Sequence, residues 1–325
     1  MRAPSYNYPL WIGAAIIALF VVVAIIGPSV APYSPIEVIT EVFLAGGQAY
    51  VPSVRPVPPL TAPEFVLGTD IAGRDLFSRM LWAVRPTLIL CGIIAAIRIA
   101  LGLALGLAAG WSSGVAGRFI NVLIDVALAT PILLFALAVI SFISKPDLMT
   151  FIIGLTLTGW AGTAVYVRNS TLLIRGAPYI EGARAVGVPP FGILTRYVLP
   201  QMWPALPALI SFELASTLIV VAELGFLGMF IGEAFVIVSR SGELNAGPIG
   251  VTANWPELAQ MMSDFWSKMI RTPWEVAIVG VTIFLLILGF NLLGEGLRRR
   301  MDITRFRGPS RRRTRAVARL EAGGE

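Results

Sequence analysis

The sequence predicts an all-α, polytopic membrane protein, on the evidence of its composition and the length of its apolar segments. Hydrophobic residues make up 56% of the 325 residues and charged residues only 14%, and the mean hydropathy is +0.80, well above that of ordinary soluble domains. Several apolar segments approach or exceed the roughly 20 residues that a helix needs to cross the hydrocarbon core. We therefore expect one bundle of membrane-spanning helices.

Six spans are predicted from these segments. They cover residues 10–26, 87–109, 119–143, 148–167, 205–231 and 274–293. The spans divide the chain into four parts: 1–27 with the first span, an extracytoplasmic segment at 28–86, a five-span core at 87–296, and a basic tail at 297–325.

The basic residues orient this bundle. With the N-terminus inside, the predicted cytoplasmic segments hold 16 of the 25 Lys and Arg residues and the predicted outer segments hold eight. Because positive residues concentrate in cytoplasmic loops, both termini and the loop at 168–203 are predicted to be cytoplasmic. A dense part of the net charge of +6 lies in the tail after Leu297, which indicates contact with anionic lipid rather than nucleic acid.

The sequence lacks the residue types and motifs that common catalytic and cofactor sites require. There is no histidine, the single cysteine is Cys91 in an apolar stretch, and no Gly-x-x-x-x-Gly-Lys-Ser/Thr phosphate loop occurs. These features argue against zinc or haem sites, histidine-assisted nucleophilic catalysis and ATP hydrolysis by this chain. We expect no cofactor on the chain itself and no enzymatic activity of its own.

The two long outer segments differ in character. Residues 28–66 are proline-rich, which disfavours regular structure. Residues 67–79 then combine apolar positions at helical spacing with Arg74, Asp75 and Arg79, which predicts an amphipathic helix lying on the outer membrane face. In the second segment, about 232–273, turn-forming residues precede a helix-like stretch at 256–270.

The polar loop after the fourth span carries a helix–glycine–helix pattern. Residues 181–186 can form a short helix, Gly187 then permits a turn with positive φ, and a second helix can run over 191–198. A helix packed along the membrane surface offers one face to a groove in a soluble partner. The loop therefore predicts a docking element, with Arg184 and Arg196 pairing with acidic groups of that partner or with lipid phosphates.

Ionisable residues within the predicted spans are candidates for a transport pathway, because such residues are costly in lipid and face protein or water. Glu213 and Glu223 lie about 80° apart around one helix and are candidates for the pathway or for pairing with a partner subunit. Arg98 is expected to pair with an acid in the bundle, and Asp125 to be partly solvated.

Several motifs, in order along residues 67–302, resemble one family of transport proteins. Glu181-Gly182-Ala183, Gly187 and Leu199-Pro200 resemble the EAA loop of binding-protein-dependent ABC transporter permeases. The other motifs resemble the C-type permease of the dipeptide and oligopeptide branch, which includes nickel and glutathione systems. These motifs are Leu67–Asp70, Gly73–Asp75, Ser78-Arg79, Leu224–Gly228, Pro256-Glu257 with Met261, Thr272–Trp274 and Phe290–Gly294.

The resemblance implies a six-span type I ABC importer permease bundle with a cytoplasmic coupling loop at 168–203. It implies an ATP-driven importer of di- and oligopeptides, with a B-type permease as second half, two ABC ATPases that carry ATP and Mg²⁺, and an extracytoplasmic solute-binding protein. The residues implied in ATPase coupling are Glu181, Gly182, Ala183, Arg184, Gly187, Leu199 and Pro200.

Departures from the family pattern leave the substrate open. Gly182 replaces an alanine, Leu258 and Ala259 replace tryptophan and glycine, and Gly225 replaces a serine. Nickel chelates, glutathione, opines or oligosaccharides remain alternative cargoes, and the permease partner could be a paralogue or a second copy. An ion-coupled secondary transporter that uses Arg98, Glu213 and Glu223 is the alternative of another class, and a membrane scaffold or receptor is a third.

Overall fold

The protein is described by a computed structural model. The residues that it describes are 6–45, 48–143, 147–231, 234–238, 248–253 and 255–301. Residues 302–325 of the predicted basic tail lie outside these residues, as do residues 232–233, 239–247 and 254 of the second outer segment. The helices that build the bundle are α1 (Tyr8–Val30), α2 (Leu76–Trp111), α3 (Gly114–Ala129), α4 (Ile132–Ile143), α5 (Leu148–Gly159), α6 (Ala161–Arg175), α10 (Leu206–Phe226) and α13 (Pro273–Met301).

Shorter elements connect these helices. They are β1 (Phe43–Ala45), β2 (Gln48–Tyr50), α7 (Pro178–Ala185), α8 (Pro190–Ile193), a π-helical turn (Leu194–Val198), α9 (Leu199–Met202), a 3₁₀ turn (Trp203–Ala205), β3 (Ala234–Val238), β4 (Pro248–Ala253), α11 (Leu258–Met261) and α12 (Phe265–Arg271). Strands β1 and β2 form one antiparallel hairpin, and β3 and β4 form another.

The helices provide up to six membrane crossings within the described residues. Four continuous helical segments are long and apolar enough to span a bilayer: Tyr8–Val30, Leu76–Trp111, Pro190–Phe226 and Pro273–Met301. The pairs α3–α4 and α5–α6 qualify only as bent units, with bends of 88° and 42°. The six predicted spans thus correspond to four helices and two bent pairs.

The third predicted span, 119–143, is not one straight helix. Helix α3 ends at Ala129, Thr130 has ψ of 119° and α4 begins at Ile132. Pro131 explains the break, since its ring disfavours helical geometry at the preceding residue and it has no N–H to donate. The Thr130-Pro131 pair was therefore a local signal for the bend.

Helix α2 is the central element of the bundle, and it approaches α6 through small residues. Gly102, Gly106 and Gly110 recur every four residues on α2, and each lies against α6, where an added Cβ would meet Thr163, Val167 or Thr171. In a bilayer, where lipid is as apolar as leucine, close packing of this kind is a main source of helix association. The stripe fixes α6, and the loop that follows it, to α2.

The segment before α2 differs from the surface helix expected at 67–79. Asp75 caps the first turn of α2, accepting hydrogen bonds from the backbone N–H and the hydroxyl of Ser78 at 2.8 and 2.6 Å. From Leu76 the helix continues without interruption to Trp111. Arg74 and Arg79 are each 1% exposed, so these charges do not form a solvated helix face. Their partners, described below, explain the burial.

The proline-rich segment has a small core of its own, in which Ile39, Tyr50, Val57, Ala62 and Phe65 are buried together. Apart from the β1–β2 hairpin, it consists of turns and bends. The predicted helix-like stretch 256–270 is two short helices, because Asp264 adopts a left-handed conformation with φ of 54° between α11 and α12.

Candidate functional site

The coupling loop contains the helix–glycine–helix element that its sequence predicts. Helix α7 begins at Pro178, where a proline is well tolerated because the first N–H of a helix has no intrahelical partner. It ends in a left-handed turn at Gly187, with φ of +81°. The Gly187 N–H donates to the Arg184 carbonyl at 3.0 Å, and the Val188 N–H donates to the Ala183 carbonyl at 3.1 Å. These bonds satisfy carbonyl groups that the helix end leaves free.

Helix α7 has a buried face and an exposed face. Ile180 and Ala183, three residues apart, are both buried, and Ile180 packs with Val167, Ile193 and Val198. Glu181, Gly182, Arg184 and Gly187 are exposed, together with Pro200 of α9, whereas Leu199 is half-buried. Of the residues implied in ATPase coupling, Ala183 therefore supports the loop from beneath, and the exposed ones form the surface.

A wider turn connects the loop to the fifth span. Residues 194–198 form a π-helical turn in which the Leu199 N–H donates to the Leu194 carbonyl. Pro200 follows immediately, and a proline within a helix lacks the N–H of its own turn and crowds the carbonyl four residues earlier. A single widened turn relieves that crowding, so the chain continues into α10 as one helical segment.

Two arginines of the loop region contact one tryptophan at the end of α2. The guanidinium carbons of Arg184 and Arg175 lie 5.0 and 5.7 Å from the centre of the Trp111 ring. Arg175 also donates to the Trp111 carbonyl at 2.9 Å. Arg184 was expected to pair with acidic groups of a partner or with lipid; in the structure it makes a cation–π contact within the chain.

Arg98 lies at the centre of a polar cluster within the bundle. Its Nη1 is 3.3 Å from Glu213 Oε1 and donates to the Thr217 hydroxyl at 3.1 Å. Its Nε and Nη2 donate to the Leu155 carbonyl at 2.8 and 2.6 Å. That carbonyl lies near the C-terminal end of α5. Arg98 thus pairs with an acid, as expected, and also contacts the helix that precedes the bend.

The intramembrane residues proposed for a pathway do not all come together. Glu213 also accepts a hydrogen bond from the Thr163 hydroxyl at 3.2 Å, so α2, α6 and α10 meet at this cluster. Glu223 is exposed on α10, beside Leu133 and Phe226, and Asp125 is exposed on α3. Glu213 and Glu223 lie about 80° apart around α10. Glu213 therefore lies inside the bundle, whereas Glu223 lies on its surface.

A buried polar cluster lies at the opposite end of α2. Asp70 Oδ2 is 2.8 Å from Arg74 Nε and 3.3 Å from Arg79 Nε, and all three side chains are at most 2% exposed. The backbone N–H groups of Ala72 and Arg74 donate to Asp70 Oδ1 at 2.9 Å each. Burial raises the pKa of the Asp70 carboxyl, but the two guanidinium groups and these hydrogen bonds lower it by more, so its pKa lies below the ordinary value.

This polar cluster joins segments that are far apart in the sequence. Arg79 donates to the Pro35 carbonyl at 2.8 Å and to Gln260 Oε1 at 3.1 Å. Lys268 and Glu275 form a second buried ion pair at 2.8 Å, and the Glu275 carboxylate also accepts from the Ile71 N–H. The motifs at 67–79, 256–261 and 272–274 are thus neighbours in space, which the sequence analysis did not foresee.

A cavity of about 480 Å³ opens beside this cluster, and the sequence analysis did not identify it. Its lining residues are Trp82, Arg85, Pro86, Ile89, Leu90, Ile93, Leu148, Ile231, Trp255, Pro256 and Glu257. Glu257 is 7% exposed, and burial raises its pKa to about 7. In the part of the chain that the structure describes, no group of three or more His, Cys, Asp or Glu residues could hold a metal ion.

Comparison with known proteins identifies the type of protein that this architecture resembles. Residues 102–303 match the family described as binding-protein-dependent transport system inner membrane component. The di/tripeptide transport system permease protein DppC of Pseudomonas aeruginosa is 29% identical over 296 residues, which cover 89% of this chain and 86% of the relative. The glutathione transport system permease protein GsiD of Pectobacterium atrosepticum is 31% identical over 236 residues, 73% of this chain and 71% of the relative.

The fold also has a counterpart among solved structures. A chain of the MetNI methionine ABC transporter in an inward-facing conformation aligns with a TM-score of 0.51 and 18% identity, over 69% of this chain and 96% of that chain. At this level of identity the similarity shows a shared fold.

Proposed function

The chain belongs to the family of binding-protein-dependent transport system inner membrane components, and from this premise we propose that it carries di- and oligopeptides into the cell as the C-type permease subunit of an ATP-driven importer. The similarity to DppC over 89% of the chain supports this cargo class. The arrangement of the coupling loop carries the mechanism: α7 presents an exposed face and is fixed from beneath to the helix bundle.

ATP hydrolysis belongs, in this proposal, to two separate ATPase subunits that bind ATP and Mg²⁺ and dock on the coupling loops of the permease pair. Val186 and Phe191 are 80% and 77% exposed on either side of Gly187, and apolar side chains of this size on a polar loop favour an interface. Closure of the ATPases would move α7, and the glycine stripe between α6 and α2 would transmit that motion into the bundle.

The remaining partners follow from the same proposal. A B-type permease would form the second half of the translocation path, with both termini of this chain in the cytoplasm. A solute-binding protein would deliver the peptide at the opposite end of α2, where the segment before α2 and helices α11 and α12 lie. The exposed apolar surface of α3, including Val122 and Val126, is available for lipid or for the partner permease.

Glutathione is the second candidate cargo, and the similarity to GsiD is the observation that favours it. Both cargoes are small molecules with peptide bonds and a free amino group, so that one machine could be adapted to either. An ion-coupled transporter remains the contrasting proposal, although the pairing of Arg98 with Glu213 gives these two residues a structural role. ATP-dependent uptake by the reconstituted complex, with no response to an imposed proton or sodium gradient, would separate the two classes.

The test of the coupling loop is Gly187→Pro. Proline fixes φ near −65° and has no N–H, whereas Gly187 has φ of +81° and donates to the Arg184 carbonyl. We expect ATP-driven uptake of a radiolabelled dipeptide to fall to background while the amount of chain in the membrane stays at the wild-type level. Uptake is measured in vesicles and the membrane level by immunoblot.

The matched control is Gly187→Asn, because asparagine tolerates positive φ better than most residues and keeps the N–H. This variant is expected to retain most of the uptake. Normal transport by Gly187→Pro would remove the coupling loop from its assigned role.

A further inference from the structure

The cavity beside Glu257 is shaped like a small-molecule site. Its volume of about 480 Å³ lies within the range of about 300–1,000 Å³ that is usual for ligand pockets, which are mainly apolar with a few polar groups. Its wall is apolar and aromatic, and Trp82 and Trp255 lie together with ring centres 5.8 Å apart. Among the described residues that line this wall, Glu257 and Arg85 are the ionisable ones.

Glu257 has an unsatisfied hydrogen-bond acceptor in this wall, counted over the described residues. Its Oε1 atom is buried and has no hydrogen-bond partner among the described residues. A buried carboxylate oxygen without a partner is costly, whereas the Asp70 carboxylate in the nearby polar cluster is paired with two arginines. The contrast favours a partner for Glu257 that is not among the described residues of the chain.

We propose that the Glu257 carboxylate binds the protonated amino terminus of a peptide as the peptide passes through the cavity. The inference rests on the proposed function, since it identifies the part of the cargo that this chain recognises. A primary ammonium group supplies three hydrogen-bond donors and the opposite charge. The faces of the two tryptophans also favour a cation, and Arg85, which is exposed, provides a positive charge for the peptide carboxylate.

Other ligand chemistries fit this cavity less well. A metal ion would need several oxygen, nitrogen or sulfur ligands, and among the described residues Glu257 is the only acidic one that lines the cavity. A purely anionic solute would meet the charge of Glu257 in a low-dielectric wall. A zwitterionic peptide places one charge of each sign in a cavity that offers one of each.

The raised pKa of Glu257 suits a site that must also release its cargo. Burial raises the pKa of the Glu257 carboxyl to about 7, and a bound ammonium group would favour its charged form. Part of the interaction free energy is then consumed in deprotonating the carboxyl group.

The test is equilibrium binding of radiolabelled alanyl-alanine to the purified complex in lipid nanodiscs, without the solute-binding protein. We expect saturable binding to the wild type, with unlabelled alanyl-alanine competing about tenfold or more better than N-acetyl-alanyl-alanine. Glu257→Gln, which keeps the shape of the side chain and removes the charge, should weaken alanyl-alanine binding by about tenfold and abolish the preference for the free amino group. Glu64→Gln is the matched control, because Glu64 is exposed in the segment before α2 and lies outside the cavity.

Uptake by the wild-type complex with its binding protein and ATP is measured in parallel. If the wild type takes up peptide but Glu257→Gln binds alanyl-alanine as tightly as the wild type does, the inference alone is overturned. The same holds if Glu257→Gln loses equal affinity for alanyl-alanine and N-acetyl-alanyl-alanine. Absence of both uptake and binding would overturn the inference and the proposed function together. Binding that requires Glu257 without ATP-driven uptake would support the site and overturn peptide import.

Discussion

Charged motif residues are buried at one end of α2 and exposed at the other, although both ends carry motifs of the same family. At its N-terminal end the motif residues Asp70, Arg74 and Arg79 are buried and paired with one another. At its C-terminal end the coupling loop exposes Glu181 and Gly187 and keeps only its apolar face, with Ile180 and Ala183, inside. A 36-residue helix separates the two ends by about 54 Å.

This difference shows that one kind of sequence signal can have two physical origins. Burial of several charges requires each to find a partner, so the motif at 67–79 depends on residues that lie far away in the sequence. A docking surface requires the reverse, namely polar and apolar groups that the chain itself leaves available. We propose that the first motif serves stability and the second serves interaction, and three sets of substitutions test that division.

The largest effect is expected for Asp70→Ala. This change leaves the guanidinium groups of Arg74 and Arg79 buried without their shared carboxylate and removes the acceptor of two backbone N–H groups. Breaking a buried ion pair from one side costs about 3–5 kcal/mol. Thermal unfolding of the purified permease in mild detergent should show a large loss of stability, or folded protein should not be recovered.

Glu64→Ala is the control for this prediction, since Glu64 is an exposed acid in the same segment. It is expected to unfold close to the wild-type temperature. If Asp70→Ala unfolded at that temperature as well, the polar cluster would not be a source of stability and the proposed division would be wrong.

An intermediate effect is expected when a glycine is replaced by alanine at each end of α2, in the variants Gly68→Ala and Gly187→Ala. The two glycines have almost the same φ, +75° and +81°, so both changes carry the cost of a left-handed alanine, about 1–2 kcal/mol. An added Cβ at Gly68 would also collide with the backbone of Val57 and Pro59, whereas at Gly187 it would meet nothing within 4 Å. Overpacking adds about 1–3 kcal/mol at Gly68 only.

The measurement is the unfolding temperature of the two variants side by side, with ATP-driven uptake as a second observable. Gly68→Ala should lose clearly more stability, and Gly187→Ala should lose only the amount due to the left-handed alanine, with a partial loss of uptake. Equal shifts in unfolding temperature would mean that the backbone around Gly68 adjusts, and that the two ends are equally tolerant.

The elements that the sequence predicts well are those with local causes. Apolar length alone locates the membrane crossings, and Pro178 and Gly187 mark the start and end of α7 by capping rules that act within one turn. The 88° bend at Pro131 also had a local signal, which the length of the apolar segment at 119–143 concealed.

Features that depend on distant partners were not predictable. A charged residue beside apolar ones reads as a surface helix until its partners are known, and Arg79 finds its partners at Pro35 and Gln260, 44 and 181 residues away. Glu257 stands in a recognisable motif, but only the fold brings it to a cavity wall beside Trp82 of α2. For the same reason the contact of Arg184 with Trp111 was not predictable, and its expected contact with a partner stays a prediction.

The smallest effect is expected for Trp111→Leu, and it tests whether the coupling loop is as open as its exposure suggests. Arg175 keeps its hydrogen bond to the carbonyl of residue 111 in this variant, whereas the described contact of Arg184 with residue 111 is through the ring. Loss of an exposed cation–π contact is worth about 0.5–1 kcal/mol, or roughly two- to fivefold in the population of the released arginine. Trypsin cleavage after Arg184 in membranes without the ATPases should accelerate by that factor, while cleavage after Arg196 should not change. If cleavage after Arg184 kept its wild-type rate, the arginine would be held by the α7 backbone alone, and the coupling loop would be rigid even before its partner binds.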